Sequence, residues 1–250
     1  MTTNGRHGQG VPPPMHMQRL KRFYTEVSVG AGEDGWHVLL DGKPVKTPLG
    51  RPLEAPSEPL AKALAEEWRA QTGEIERSSM LLNRLVNTAI DGARGREAEI
   101  RAAVLSYAAS DLVCYRAEHP AGLRACQAGA WDPILEWAEA TLGVRLRTSE
   151  GVMPVRQEEA HMYRLADLIA DEDAFALTSI LAMTTLTGSA LIALAHAKDR
   201  LSLEAAWSAA HIDEDWQTAR WGIDAEAAAR RARRFAEMEA ASRFLRLCRG

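Results

Sequence analysis

The sequence predicts an α+β protein: a small β-rich N-terminal domain, an antiparallel meander plus a covering helix, followed by a larger all-α C-terminal domain. Apolar residues alternate with period two between Phe23 and Glu54, the signature of half-buried strands. From Ser78 onward they recur every three or four residues, which is helical spacing. The composition, 46% hydrophobic and 26% charged over 250 residues, is that of an ordinary globular chain able to bury a sizeable core. The change of period falls between residues 76 and 95. We therefore expect a β-rich domain over 19–90 and a helical one over 91–250. Residues 1–18 are rich in Gly and Pro, lack the apolar run of a secretory signal, and are expected to form a disordered tail.

Taken in order, Val27 and Val29 alternate with Ser28, and Trp36, Val38 and Leu40 alternate with His37 and Leu39. Asp41-Gly42 is a favoured two-residue hairpin turn, and Pro48-Leu49-Gly50 marks a second reversal. About four short strands result. Ser57 then suits an N-cap, Pro59 fits a first turn, and Gly73 can end the helix, whose Leu60, Leu64 and Trp68 face the sheet. Further helices are expected over 80–90, closed by Asp91-Gly92, and over 96–110. Another is bracketed by Asp132 as N-cap, Pro133 at the first helical position and Gly143 beyond its end. Residues 155–170 are amphipathic through Met162, Leu165, Ala166 and Ile169. The segment 174–195 carries no charge and is long enough to cross a bilayer. Thr178, Ser179, Thr184, Thr185, Thr187, Gly188 and Ser189 dilute it, however, and no basic cluster or aromatic belt flanks it, so it reads as one buried helix. Helices over 202–222 and 224–247 complete the chain.

Chemical signatures are weak. The net charge of -4 gives no electrostatic support for nucleic acid or an anionic membrane surface as partner. Three widely spaced cysteines (Cys114, Cys126, Cys248), with no CxxC, suit free thiols. Gly30 to Gly35 spells G-x-G-x-x-G, but Trp36–Leu40 follows as a strand where a dinucleotide site needs a helix, so a hairpin loop is the reading. Glu158-x-x-His161 has di-metal spacing without the second copy such a site requires. Asp213, Glu214 and Asp215 diverge by about 100° per residue on a helix and cannot converge on one ion. Ser189, inside the apolar run, is expected to bond back to a carbonyl. Arg230, Arg231, Arg233 and Arg234 form a basic run read as a solvated face. No cofactor and no metal is expected.

The most informative stretch is SLEAAWSAAHIDEDWQTARWG, residues 202–222. Trp207, Glu214 and Trp221 are spaced by seven residues, so a continuous helix would stack two indoles and a carboxylate on one stripe. Burial suits indoles and opposes an ionised carboxylate; the stripe either pairs that charge internally or serves a partner. Trp207, Trp216, Trp221 and Trp131 are candidate anchors for such a partner, each also a reasonable core residue.

The ordered motifs RFYTEVSV, GWHVLLDGKPVKTPLGRPL, PSEPLA to EEW, RLVNTAIDG, YAASDLVCYRA, WDPILEW, LTGSALIALA and DEDWQTARWG together resemble the F-type ATP synthase assembly chaperones that bind the free alpha subunit of the catalytic head. The resemblance runs from about residue 19 to the end of the chain. It implies a non-enzymatic, ATP-independent chaperone without cofactor, holding the alpha subunit until the beta subunit displaces it. It also implies functional weight on the acidic residue of the DE-x-W-Q motif, which falls on Glu214 or Asp213 and is followed by Gln217. Glu214, Asp213, Trp207, Trp216, Gln217, Trp221 and Trp131 are therefore the expected partner-binding residues. The missing presequence suggests a bacterial cytoplasmic form, mitochondrial relatives belonging to the matrix; separately, a monomer is expected. The competing expectation is a small-molecule enzyme with a pocket between the two domains, which would cluster His161, His196 or His211 with carboxylates.

Overall fold

The computed structural model describes residues 20–151 and 153–250; the expected tail over 1–18 lies outside the described residues. Strands β1 (Val27–Ala31) and β2 (Trp36–Leu40) pair antiparallel with Val27 opposite Leu40 and Ala31 opposite Trp36. That register turns Val27, Val38 and Leu40 to the buried side. Between them Gly32 N–H donates to the Gly35 carbonyl at 2.7 Å, so the G-x-G-x-x-G run closes a hairpin. At the next turn Asp41 (φ 47°) and Gly42 (φ 76°) both take positive φ, matching the strand twist. β3 (Lys43–Pro44) pairs with Leu39 and Leu40, and β4 (Glu54–Ala55) pairs with Trp36 and His37. The four strands are thus present, but β4 returns to β2 rather than to β3, departing from a simple meander.

Helix α1 (Glu58–Arg69) covers the sheet with Leu60, Ala61, Leu64 and Ala65. Ser57 Oγ accepts from Leu60 N–H at 3.1 Å as its N-cap and donates to the Leu247 carbonyl at 2.5 Å, joining the start of α1 to the last helix. The Glu67 carboxylate accepts from Leu82 and Asn83 N–H at 2.8 and 2.9 Å. It thereby satisfies the free donors at the start of α2 (Leu81–Thr88). A π-helical turn, Ala89–Ala93, leads to α3 (Glu97–Ala109).

Several expected boundaries are corrected. Helix α4 runs through from Ala121 to Leu142, with Pro133 inside it and Gly143 in the left-handed conformation at its end. Asp132 caps nothing; its carboxylate pairs with Arg116 at 2.6 Å. The helix survives its proline because Gln127, Trp131, Ile134 and Ala138 bury one continuous face on both sides of it. After strand β5 (Tyr115–Arg116) pairs in parallel with β6 (Ser149–Glu150), α5 spans only Glu159–Asp167.

The uncharged run is two helices, α6 (Ala174–Thr187) and α7 (Ala190–Ala197). Gly188 takes φ 69° and Ser189 becomes the N-cap of α7, accepting from Ile192 N–H at 3.0 Å instead of bonding backward. Its hydroxyl donates to Asp111 at 2.5 Å, and Asp111 also accepts from Leu191 and Val113 N–H. The fully buried Asp111 carboxyl is pushed up to about 6 by desolvation, which these hydrogen bonds only partly oppose. The 202–222 stretch is also broken. α8 (Leu203–Ala210) ends at His211 (φ -121°, ψ 22°), α9 (Ile212–Trp221) begins after it, and α10 (Ala225–Arg249) closes the chain behind the Asp224 N-cap.

Two apolar clusters form. One is helical, around Trp131, Leu177, Met183 and Leu191. The other joins the sheet, α1 and α2, and is completed by Phe175, Ala240 and Phe244 from α6 and α10. Among the described residues no helix is long and apolar enough to cross a membrane.

Candidate partner-binding cleft

Helix α9 carries an acidic triplet, Asp213-Glu214-Asp215, at its first turn, where the helix dipole favours negative charge. The three carboxylates part company as their angular spacing requires. Asp213 Oδ1 accepts from Gln127 Nε2 of α4 at 2.7 Å. Asp215 binds Arg231 of α10, holding that guanidinium above its usual range. Glu214 points between them and lines an open cleft of about 950 Å³ formed by α8, α9 and α10.

The cleft has an apolar body. Trp207, Phe235, Ala228 and Ala232 line it, and the exposed Trp221 and Ile223 stand at the end of α9. Trp207 is 7% exposed; its ring lies 3.8 Å from the His211 ring centroid and meets Phe235 edge-on at 5.4 Å. Trp221 is 86% exposed and Ile223 76%, a large apolar pair left in solvent. Glu214, Gln217 and Trp221, three and four residues apart, share the outer face of α9, all lining the cleft.

The other expected residues are engaged with α4 or lie within it. Trp216 lies on Gly122 of α4, so closely that a Cβ at 122 would meet Trp216 Cη2 at 2.5 Å. Arg220 stacks its guanidinium 3.3 Å from the Trp216 ring centroid. Trp131, 1% exposed, is a core residue and not a surface anchor: its Nε1–H donates to the Ala209 carbonyl at 2.7 Å and fixes α4 against the end of α8. Trp131 and Asp213 border a second cleft of about 470 Å³ beside Tyr115 and Arg116. The helix break at His211 dissolves the expected single stripe, yet Trp207, Glu214 and Trp221 still meet in one cleft because α8 and α9 both line it.

His211 Nδ1–H donates to the Trp207 carbonyl at 2.8 Å. Burial holds its pKa below the ordinary histidine range, against the pull of that bond and of Glu214 and with the push of Arg231 and Arg234. The imidazole is thus neutral near pH 7. His161 lies 3.8 Å from Glu158, and His196 bonds the Leu201 carbonyl and Ser242. The three histidines do not gather with carboxylates, and among the described residues no three potential ligands could hold a metal ion. Both clefts lie within the helical part. The basic run is largely engaged: Arg230 pairs with Glu226 at 2.6 Å and Arg234 donates to the Leu186 carbonyl at 2.7 Å. Cys114, Cys126 and Cys248 are free thiols.

Sequence reasoning missed Ile223, Phe235, Gln127 and Gly122. Ile223 follows the helix end at Gly222, outside any period, and the roles of Gly122 and Gln127 depend on groups from another helix, so only Phe235, an aromatic residue within the expected last helix, carried a signal.

Comparison with known proteins accords with this arrangement. The ATP12 chaperone protein family matches residues 21–139. The protein atp12, mitochondrial, of Schizosaccharomyces pombe is 22% identical over 221 residues, covering 84% of this chain and 76% of that protein. The crystal structure of Atp12 from Paracoccus denitrificans matches with a TM-score of 0.87 at 38% identity, over 92% of this chain and 98% of that one. The Atu1473 protein of Agrobacterium tumefaciens matches with a TM-score of 0.87 at 44% identity, over 91% of this chain and 85% of its own. With that identity sustained over nearly the whole chain, the protein belongs to the ATP12 chaperone family.

Proposed function

We propose that this protein is an assembly chaperone for the F-type ATP synthase that shields the free alpha subunit until the beta subunit displaces it. The observation that carries the reading is the cleft of α8–α10, where Trp221 and Ile223 remain exposed beside an apolar lining. Subunits awaiting a ring expose apolar interfaces that aggregate. An adhesive cleft that covers such an interface less tightly than the final neighbour exchanges by mass action, with no ATP and no bond made or broken. Exposed indole surface suits this because it adheres broadly, while a few fixed polar groups set register. In this reading Glu214, Gln217 and Trp221 touch the client, whereas Asp213 and Trp216 hold α9 in place. The β-rich part, 19–90, and the helical part, 91–250, act as one monomeric platform, since Phe175 and Phe244 complete the core of the former.

The test is direct. Purified protein should keep isolated alpha subunit soluble on dilution from denaturant, and added beta subunit should release it. Continued aggregation of alpha subunit in the presence of excess chaperone would reject the proposal.

A further inference from the structure

We infer that the cleft receives an apolar segment of its client bearing one basic side chain, an arginine or lysine that seats against Glu214. This rests on the reading of the cleft as the client-docking surface and names what that surface selects.

The charges lining the cleft carry the argument, because all but one are already engaged. Arg230 is paired with Glu226 at 2.6 Å, and Asp224 accepts from Glu226 N–H at 2.9 Å as the cap of α10. Arg234 donates to the Leu186 carbonyl, near the C-terminal end of α6. Glu204 sits in the first turn of α8, where its own N–H and the Ser202 hydroxyl hold its carboxylate below the usual range. Arg231 is hydrogen-bonded to Asp215. Glu214 also acts on Arg231 through space, so two carboxylates face one guanidinium, while Arg234, the remaining cation of the lining, is directed at the Leu186 carbonyl. Among the described residues Glu214 has no ion pair of its own. The neighbouring His211, neutral near pH 7 through burial, does not compensate it.

That carboxylate, without an ion pair among the described residues, shares the outer face of α9 with Trp221 and lines the cleft together with Trp207 and Phe235. A wholly apolar occupant would desolvate Glu214 without replacing its water, which is unfavourable. An acidic occupant would meet a like charge. A segment with an apolar face and one cation satisfies both the indole surface and the carboxylate, through a charge-assisted hydrogen bond in a partly dry site.

Overlapping peptides of the alpha subunit, titrated against the full chain by calorimetry, test this. The tightest binders should share an apolar run with one Arg or Lys. Replacing that residue by Gln should weaken binding about tenfold to wild type, and much less to Glu214→Gln. Glu214→Lys should reverse the preference toward the peptide with Glu at that position. Glu214 is exposed, and unchanged thermal unfolding of the Gln variant checks that only the contact was altered. Equal affinity of wild type for the basic and Gln peptides overturns the inference, as does wild-type affinity in Glu214→Gln. So does the absence of any binding peptide while intact alpha subunit is still held. In each of these cases the docking reading survives, whereas failure of wild type to hold intact alpha subunit defeats that reading itself.

Discussion

The two faces of α9 carry nearly the same kinds of residue and use them oppositely. Toward α4 lie Asp213, Trp216 and Arg220: the carboxylate takes a hydrogen bond from the buried Gln127, the indole fills the space left by Gly122, and the arginine covers the indole. Outward lie Glu214, Gln217 and Trp221, where the carboxylate has no ion pair among the described residues and the indole stands in solvent. An acid and a tryptophan mean structure on one side and availability on the other. Composition therefore does not assign their roles; the neighbouring helix does. If the outer face is the docking surface proposed above, its exposed groups need to be held still, and the contacts with α4 are placed to do that.

The sharpest break in this comparison comes from deeper in the inner layer. Trp131 fills the core and anchors α4 to α8, so Trp131→Ala should cost roughly 3–5 kcal/mol in urea unfolding, from lost packing and an unpaired Ala209 carbonyl. A loss under 1 kcal/mol would show that the layer beneath α9 is not rigid.

A second prediction concerns Asp111, whose carboxylate ties α7 and the segment after α3 together beneath the helices that bear the cleft. Its folded pKa of about 6 lies above the ordinary carboxylate value of 3.8. The fold therefore binds this proton more strongly than the unfolded chain does. The resulting stability is fully present below about pH 4 and is lost as pH rises through about 6. The shift corresponds to about 3 kcal/mol at most across that window, superimposed on all other titrations. Comparing unfolding free energy against pH for wild type and Asp111→Asn isolates it. The variant should be less stable throughout, because its amide must turn N–H toward a backbone N–H, and should lack this component of the slope. Parallel profiles would refute the assignment.

Next in size is the latch itself. Gln127 also accepts from Ala117 N–H at 2.8 Å, so Asp213→Leu leaves a buried amide donor unpaired and should cost about 1–3 kcal/mol. Asp213→Asn, which can still accept, should recover most of that. In a double-mutant cycle Asp213→Leu and Gln127→Leu should be strongly non-additive in alpha-subunit holding, whereas Glu214→Gln combined with Gln127→Leu should be close to additive. Additivity in the first cycle would mean that Asp213 does not act through Gln127.

Much of this architecture was legible in the residues, and the failures share a cause. The Asp41-Gly42 turn and the Ser57 cap are written in contiguous residues whose backbone preferences decide locally, and both are realised. The breaks at Gly188 and His211 and the run through Pro133 depend on what packs from elsewhere. Asp111 supplies the buried acceptor that makes Ser189 a cap, and the core face of α4 carries that helix past its proline. Spacing by seven grouped Trp207, Glu214 and Trp221 correctly as neighbours although the helix assumed for them is broken. It could not sort Trp216 and Asp213 from Trp221 and Glu214, because their contacts are set by Gly122 and Gln127 of α4, 94 and 86 positions away in the chain.

The smallest effect on stability should accompany one of the largest on function. Trp221 lies almost wholly in solvent, so Trp221→Ala removes no core contact and should shift unfolding by no more than about 0.5 kcal/mol. If the outer face is the docking surface, the same change should sharply reduce protection of the alpha subunit, since exposed indoles that become buried on association dominate such interfaces. Trp216→Ala should do the reverse in proportion, losing stability first and holding second, by loosening α9 from α4. Measuring both variants by unfolding and by light scattering of alpha subunit places each on two axes. Two separated points support the division of labour, whereas a common line, with holding lost only as stability is lost, would reduce both faces of α9 to scaffold.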